Sequence, residues 1–225
     1  VLMDEPLTVI DPDLKFRLRR KLKEINEEFK TTLVYVTHDQ NEAMTFADNI
    51  IVMSEGEVVQ AGTPKELFER PNTTFVGYFI GSPAMNLFET EASSNDSVKI
   101  NDTIIKTNTN LTNLKDKKIK LGVRSEFIKI ADNQKENLLD VDVDKVEDLG
   151  NYKLLTAKMG NLTIKSKINR ETEVPSSNVK LYIPQDFYDY NQNLNYSGLE
   201  LIEIYTYSQY LVKKKHRKFE ETKPS

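Results

Sequence analysis

Hydrophobic positions between Pro12 and Phe29 recur at helical spacing, with Leu14, Leu18, Leu22, Ile25 and Phe29 on one stripe. Arg17, Arg19, Arg20, Lys21, Lys23, Glu24, Glu27 and Glu28 fill most of the rest. This predicts an amphipathic helix whose stripe packs into a core. Pro12 suits its first turn, where the missing N–H would have no partner anyway. On either side lie short apolar runs, Val1 to Met3 and Thr32 to Thr37. The second is the continuously apolar kind that parallel sheets bury on both faces. Asp39 to Ala47 reads as a helix. Asn49 to Met53 and Glu57 to Gln60 read as a hairpin turning at Glu55-Gly56. Thr63-Pro64 opens another helix, with Thr63 as N-cap and Glu66 as its capping-box partner. Pro71 closes that helix, and Thr73 to Ile80 makes one more.

The texture changes after Gly81-Ser82-Pro83. From Leu87 to about Ile183 the pattern becomes a series of short β-like runs, among them Ser97–Lys106, Lys118–Gly122, Phe127–Ala131, Leu139–Val146, Leu154–Lys158 and Leu162–Ile168. Asn, Asp and Gly punctuate them, which predicts a small antiparallel barrel or sandwich. The expected organisation is an α/β segment over 1–82, a β-rich domain over 83–190, and a partly disordered tail over 191–225. That tail carries Tyr196, Tyr205, Tyr207 and Tyr210, then the basic run Lys213–Lys218 with His216 inside it. The run reads as a solvated disordered tail, with contact to anionic lipid as the alternative, and His216 has no assigned role.

Composition narrows the classes. The 225 residues carry 31 Lys+Arg against 35 Asp+Glu, a formal net charge of −4, so no basic excess points to a nucleic-acid partner. No stretch approaches the roughly 18 uninterrupted apolar residues of a spanning helix. With 0 Cys, disulfides, thiolate metal sites and cysteine nucleophiles are excluded together. The opening Val1-Leu2-Met3-Asp4 resembles a strand already under way, so the sequence is expected to begin inside a domain and to lack a secretory signal.

The chemistry concentrates in the first 38 residues. Asp4 and Glu5 end the first apolar run, Asp11 opens the helix, and Thr37-His38-Asp39 ends the second run. Strand, crossover helix and parallel strand put Asp4, Glu5 and His38 at the carboxyl edge of one sheet, where α/β folds bind ligands. An Asp there can hold Mg²⁺ beside nucleotide phosphates. A neighbouring Glu can orient and deprotonate a water for in-line attack on a terminal phosphoryl group. A His on the adjacent strand can donate a hydrogen bond to that phosphate.

Leu2-Met-Asp-Glu-Pro6, Leu7-Thr-Val-Ile-Asp11 and Val36-Thr-His-Asp-Gln-Asn-Glu-Ala43 resemble the Walker B segment, D-loop and switch-histidine loop of ABC transporter ATPases, in order and at that family's spacing. Gln60–Pro71, Phe75–Asn86 and Leu121-Gly-Val-Arg-Ser-Glu126 are similar to importer ATPases for sugars, polyols and glycerol phosphate, which end in a regulatory β domain. The resemblance covers roughly residues 1–190. It implies the C-terminal part of a P-loop ATPase domain followed by an all-β OB-like or TOBE-like regulatory domain. Residue by residue it implies Asp4 for Mg²⁺, Glu5 as catalytic base and His38 for the γ-phosphate. Asp11 would signal across a head-to-tail dimer that sandwiches ATP. The implied partners are a second copy of the subunit, membrane permease subunits and, through them, a solute-binding protein. The implied location is the cytoplasmic face of the membrane.

Departures are specific. Thr8 and Ile10 replace the commoner Ser and Leu of the D-loop. Ser125 stands where the family usually has Pro, and Phe127 where it often has His. No Gly-x-x-x-x-Gly-Lys-[Ser/Thr] occurs, and neither the glutamine loop nor a Leu-Ser-Gly-Gly-Gln signature is present, so this chain alone is expected to be inactive. Two other readings stand beside the ATPase: a catalytically dead regulatory or dimerisation module, and a β domain that senses a small ligand. Arg124 and Glu126 read equally as a contact for a regulator or as a plain hairpin ion pair.

Overall fold

The computed structural model describes residues 1–108, 110–114 and 119–185, with the backbone of strand segments 187–188, 195–196 and 199–203. Tyr205, Tyr207, Tyr210 and the Lys213–Lys218 run with His216 lie outside the described residues. The chain divides into two compact units, Val1–Met85 and Asn86–Ser225.

In the first unit, β1 (Leu2–Asp4) and β2 (Val34–Val36) pair in parallel, with Asp4 opposite Val36. Helix α1 (Pro12–Phe29) connects them, as parallel neighbours require a crossover rather than a tight turn. Asp11 caps α1 by accepting from the Asp13 N–H at 3.0 Å. There follow α2 (Gln40–Phe46), β3 (Ile50–Ser54), β4 (Glu57–Gly62), α3 (Pro64–Glu69) and α4 (Thr74–Phe79). Glu55 and Gly56 turn the β3–β4 hairpin with φ of 51° and 79°, the paired positive values that a two-residue turn needs to match strand twist. The capping box of α3 is complete: the Thr63 side chain accepts from the Glu66 N–H, and the Glu66 carboxylate accepts from the Thr63 N–H. Ile50, Val52, Leu67, Val76 and Ile80 form the core of this unit.

Two expectations fail here. No residue of α1 is buried, and Leu14, Ile25 and Phe29 are 46%, 41% and 67% exposed, so the stripe is not core packing in this chain. Nor is β2 buried on both faces, since Val34 and Val36 are 52% and 45% exposed. Both have one cause: among the described residues the sheet holds only β1 and β2. Among the described residues no further strand pairs with either, and Leu2, Val34 and Val36 are left as exposed apolar surface.

The second unit is antiparallel. One five-stranded sheet runs β12 (Leu162–Asn169), β11 (Tyr152–Met159), β10 (Leu138–Asp148), β13 (Asn178–Tyr182), β9 (Lys129–Ile130). The other runs β16 (Leu199–Glu203), β8 (Ile119–Val123), β5 (Asn86–Ala92), β6 (Ser97–Ile100), β7 (Thr103–Lys106). A further two-stranded pair joins β14 (Phe187–Tyr188) and β15 (Asn195–Tyr196). The run expected over Ser97–Lys106 is thus two strands, folded back at Asn101, whose φ is 50°. Inward residues alternate as strand geometry dictates, for example Ile164, Ser166 and Ile168 on β12. Phe88, Leu121, Leu139, Leu155, Ile164 and Leu181 belong to one continuous core.

Side-chain amides and a hydroxyl tie the strands together where the ladders do not. Asn86 accepts from the Lys165 N–H at 2.8 Å and donates to the carbonyls of Lys165 and Val123 at 2.9 and 3.1 Å. Ser166 donates to the Ile128 carbonyl, and Asn137 serves both the N–H and the C=O of Lys106. These buried polar groups are satisfied, which is the condition for tolerating them in a core.

Candidate functional site

Asp4 ends β1, and the next backbone N–H, that of Glu5, continues the pairing by donating to the Val36 carbonyl at 2.9 Å. The chain then leaves the sheet sharply. Glu5 adopts a positive φ of 42°, a conformation that costs a non-glycine residue about 1–3 kcal/mol and survives only where surroundings over-determine it. Thr8 supplies part of that determination. Its hydroxyl lies 2.9 Å from the Glu5 carbonyl and 3.2 Å from Oε2, and its N–H donates to the same carbonyl at 3.3 Å.

The structure brings Glu5 and His38 together. His38 Nδ1 lies 2.8 Å from Glu5 Oε1, although 33 residues separate them in sequence. Parallel pairing of β1 with β2 places both at the same sheet edge, so the contact follows from topology. The hydrogen bond to His38 holds the Glu5 carboxyl below its ordinary 4.5, with Thr8 contributing less. The Glu5 hydrogen bond and charge hold the His38 imidazole above its ordinary 6.5, against a smaller opposing push from Lys15. Asp4 stands one residue before Glu5 at the strand end. Asp11 is spent as the α1 cap, six residues beyond Glu5, and no contact links it to His38.

The signs fix the pH window of this pair. Glu5 contributes stability that is present above 4.5 and is lost as pH falls through its lowered value. His38 contributes stability that is full below 6.5 and is lost as pH rises through its raised value. The pair is therefore fully formed between those two ordinary values. Replacing Glu5 by Gln is expected to move the His38 midpoint down toward 6.5, read from the ring-proton shifts in an NMR titration. A midpoint unmoved by Glu5→Gln would mean that the contact does not form in solution.

Behind His38 sits a carboxylate that the motif reading passed over. Glu42, on the first turn of α2, is only 4% exposed. Its Oε2 accepts from Tyr35 OH at 3.0 Å and from Thr37 Oγ1 at 3.1 Å. Its Oε1 faces Lys15 Nζ at 3.6 Å and Arg19 Nη1 at 4.0 Å. Burial, then the Glu42 hydrogen bond and charge, push the Tyr35 phenol up to about 12. A sequence signal existed in the Glu three residues after the capping Asp39, but that spacing also suits an exposed capping residue.

Arg124 and Ser125, by contrast, offer no contact surface, being 2% and 0% exposed. Glu126 pairs with Lys167 at 2.6 Å, and the Lys167 N–H donates to the Ser125 carbonyl at 2.9 Å. That segment is a structural corner, which removes the regulator-contact reading for Arg124.

Among the described residues no helix is long and apolar enough to cross a membrane. Parallel strands with carboxylates and a histidine at one edge, followed by an antiparallel unit of two five-stranded sheets, make an α/β segment and a β domain. Residues 81–128 match the MalK OB fold domain family. The sn-glycerol-3-phosphate import ATP-binding protein UgpC of Psychromonas ingrahamii is 41% identical over 70% of this chain and 41% of its own length. The oligosaccharides import ATP-binding protein MsmX of Bacillus subtilis is 35% identical over 84% and 47%. The sulfoquinovosyl glycerol transport ATP-binding protein SmoE of Agrobacterium fabrum is 34% identical over 82% and 52%. The chain is similar to the ATP-binding subunits of ABC importers. It spans about half the length of the curated relatives it matches.

Proposed function

We propose that this chain supplies the hydrolytic edge and the regulatory β domain of an ABC importer ATPase for a sugar, polyol or glycerol-phosphate type solute. The contact between Glu5 and His38 at the ends of two parallel strands carries the proposal. Glu5 orients a water and accepts its proton as the water oxygen attacks the terminal phosphorus of ATP. A carboxylate held low by His38 stays ionised at neutral pH and ready for that role. With Nδ1 committed to Glu5, a protonated ring has a second donor, Nε2–H, for the γ-phosphate, and His38 is largely exposed at 70% of its side chain.

Asp4 would hold Mg²⁺. Among the described residues no three His, Cys, Asp or Glu side chains gather as a metal cage. The Asp4 carboxylate at the end of β1 is the donor type Mg²⁺ takes, with phosphate and water oxygens filling the rest of its shell. When bound, the ion supplies charge neutralisation on the phosphates. Asp11, fixed as the α1 cap, would report across a head-to-tail dimer of two subunits. Permease subunits, and a solute-binding protein acting through them, would set the solute. The working place is the cytoplasmic membrane face.

A chimera tests this. The chain alone is expected to turn over no ATP above background, because it lacks the phosphate-cradling glycine loop. Joined behind the matching N-terminal half of MsmX, it is expected to restore ATP hydrolysis. A folded chimera that binds ATP without hydrolysing it would instead favour the catalytically dead regulatory module.

A further inference from the structure

We propose that Glu42 is a positioning residue that fixes the loop carrying His38 and ties that loop to helix α1. The proposal rests on the role of the Glu5–His38 edge given above and extends it one layer inward. His38 is flanked by two residues whose placement depends on Glu42. On one side, Thr37 donates its hydroxyl to Glu42 Oε2 at 3.1 Å, and Thr37 Oγ1 in turn accepts from the Asp39 N–H at 3.0 Å. The peptide that follows His38 is thereby tied to Glu42 through one hydroxyl. On the other, Asp39 caps α2 with a carboxylate 2.8 Å from the Asn41 N–H and 3.4 Å from the N–H of Glu42 itself. Tyr35, two residues earlier on β2, anchors Glu42 from below at 3.0 Å and packs its ring 5.1 Å from that of Phe46.

The second oxygen of Glu42 faces the cations of α1. Lys15 and Arg19 lie one and two turns beyond Asp11, so the helix that Asp11 caps and the loop that carries His38 share one buried carboxylate. Burying a carboxylate is costly unless it is paired and hydrogen-bonded, and Glu42 is both. Removing it strands two hydroxyls and two cations and frees the His38 loop. A displacement of about 1 Å at a catalytic edge is enough to matter, because phosphoryl transfer depends on placement.

The test needs no nucleotide and uses the whole 225-residue chain. At one fixed neutral pH, NOEs between the His38 ring and the Glu5 side chain and the His38 Nδ1 shift are recorded for wild type, Glu42→Ala and Glu42→Gln. Contacts between Leu67 and Val76 in the same spectra report whether the unit is folded. Glu42→Ala is expected to lose most of the His38–Glu5 NOE intensity and to move Nδ1 toward the value of a solvated imidazole, with the Leu67–Val76 contacts kept. Glu42→Gln, which can still accept from Tyr35 and Thr37, is expected to keep the NOEs. Unchanged His38–Glu5 NOEs in a folded Glu42→Ala would overturn the proposal. If Glu42→Ala loses its core contacts, Thr37→Val decides. It removes the bridging hydroxyl at constant shape, and intact His38–Glu5 NOEs there would equally overturn the proposal. A chimera that fails to hydrolyse ATP would leave this result standing, and a negative NMR result would leave the role of Glu5 untouched.

Discussion

Glu5→Gln in a complete ATP-binding subunit carrying this sequence is expected to slow ATP turnover by roughly 10²–10⁴-fold, the usual worth of a positioned general base. Nucleotide affinity should stay near wild type, because the variant alters a group that acts on the attacking water. The amide keeps the size of the carboxylate and can still accept from Thr8, which now bonds Oε2 at 3.2 Å. What it loses is the ability to take a proton and to hold a charged His38. Single-turnover hydrolysis measured beside ATP binding separates the two effects. Turnover unchanged in a variant that binds ATP would remove Glu5 from the mechanism. Weakened binding with normal turnover would move it to a substrate-holding role.

The second large effect lies in the β unit. Phe88→Ala is expected to destabilise that unit by about 3–5 kcal/mol, the range for truncating a buried phenylalanine in a packed core. Phe88 is 1% exposed on β5, directly opposite Leu121 of β8, which is 0% exposed. It belongs to the same core as Leu139, Leu155 and Leu181 on the other sheet, so shrinking it opens a void that both sheets line. Equilibrium urea unfolding, followed by a probe in residues 86–185, gives the change directly. A loss below about 1 kcal/mol would mean that the two sheets close over the gap.

Local features of the fold were legible because neighbours in sequence decide them. Pro12 and Asp11 mark the start of α1, the Thr63–Glu66 pair forms the capping box of α3, and Glu55-Gly56 makes a two-residue turn with positive φ at both positions, a kind that tight hairpins favour. The β texture after residue 82 was legible for the same reason, as short alternating runs broken by Asn, Asp and Gly. At the site, the ends of two apolar runs were enough to put Asp4, Glu5 and His38 on one sheet edge. The pairing of β1 with β2 then sets the 2.8 Å contact between Glu5 and His38.

Other features depend on what the chain does at long range. Periodicity shows that α1 has an apolar stripe but not whether anything covers it, and here Leu14, Ile25 and Phe29 are exposed. A Gly-Val-Arg-Ser-Glu turn looks like surface in one dimension, yet Arg124 is buried and Glu126 is held by Lys167 from β12. Glu42 reads as an ordinary first-turn acid until Tyr35, Thr37, Lys15 and Arg19 converge on it from a strand and a helix. The sequence alone determined element types, caps, turns and the residue types that end each strand, because these depend on backbone preference and spacing within a few residues. Only the tertiary structure decided which polar groups are buried together, because burial and ion pairing depend on distances that chain topology, not sequence spacing, sets.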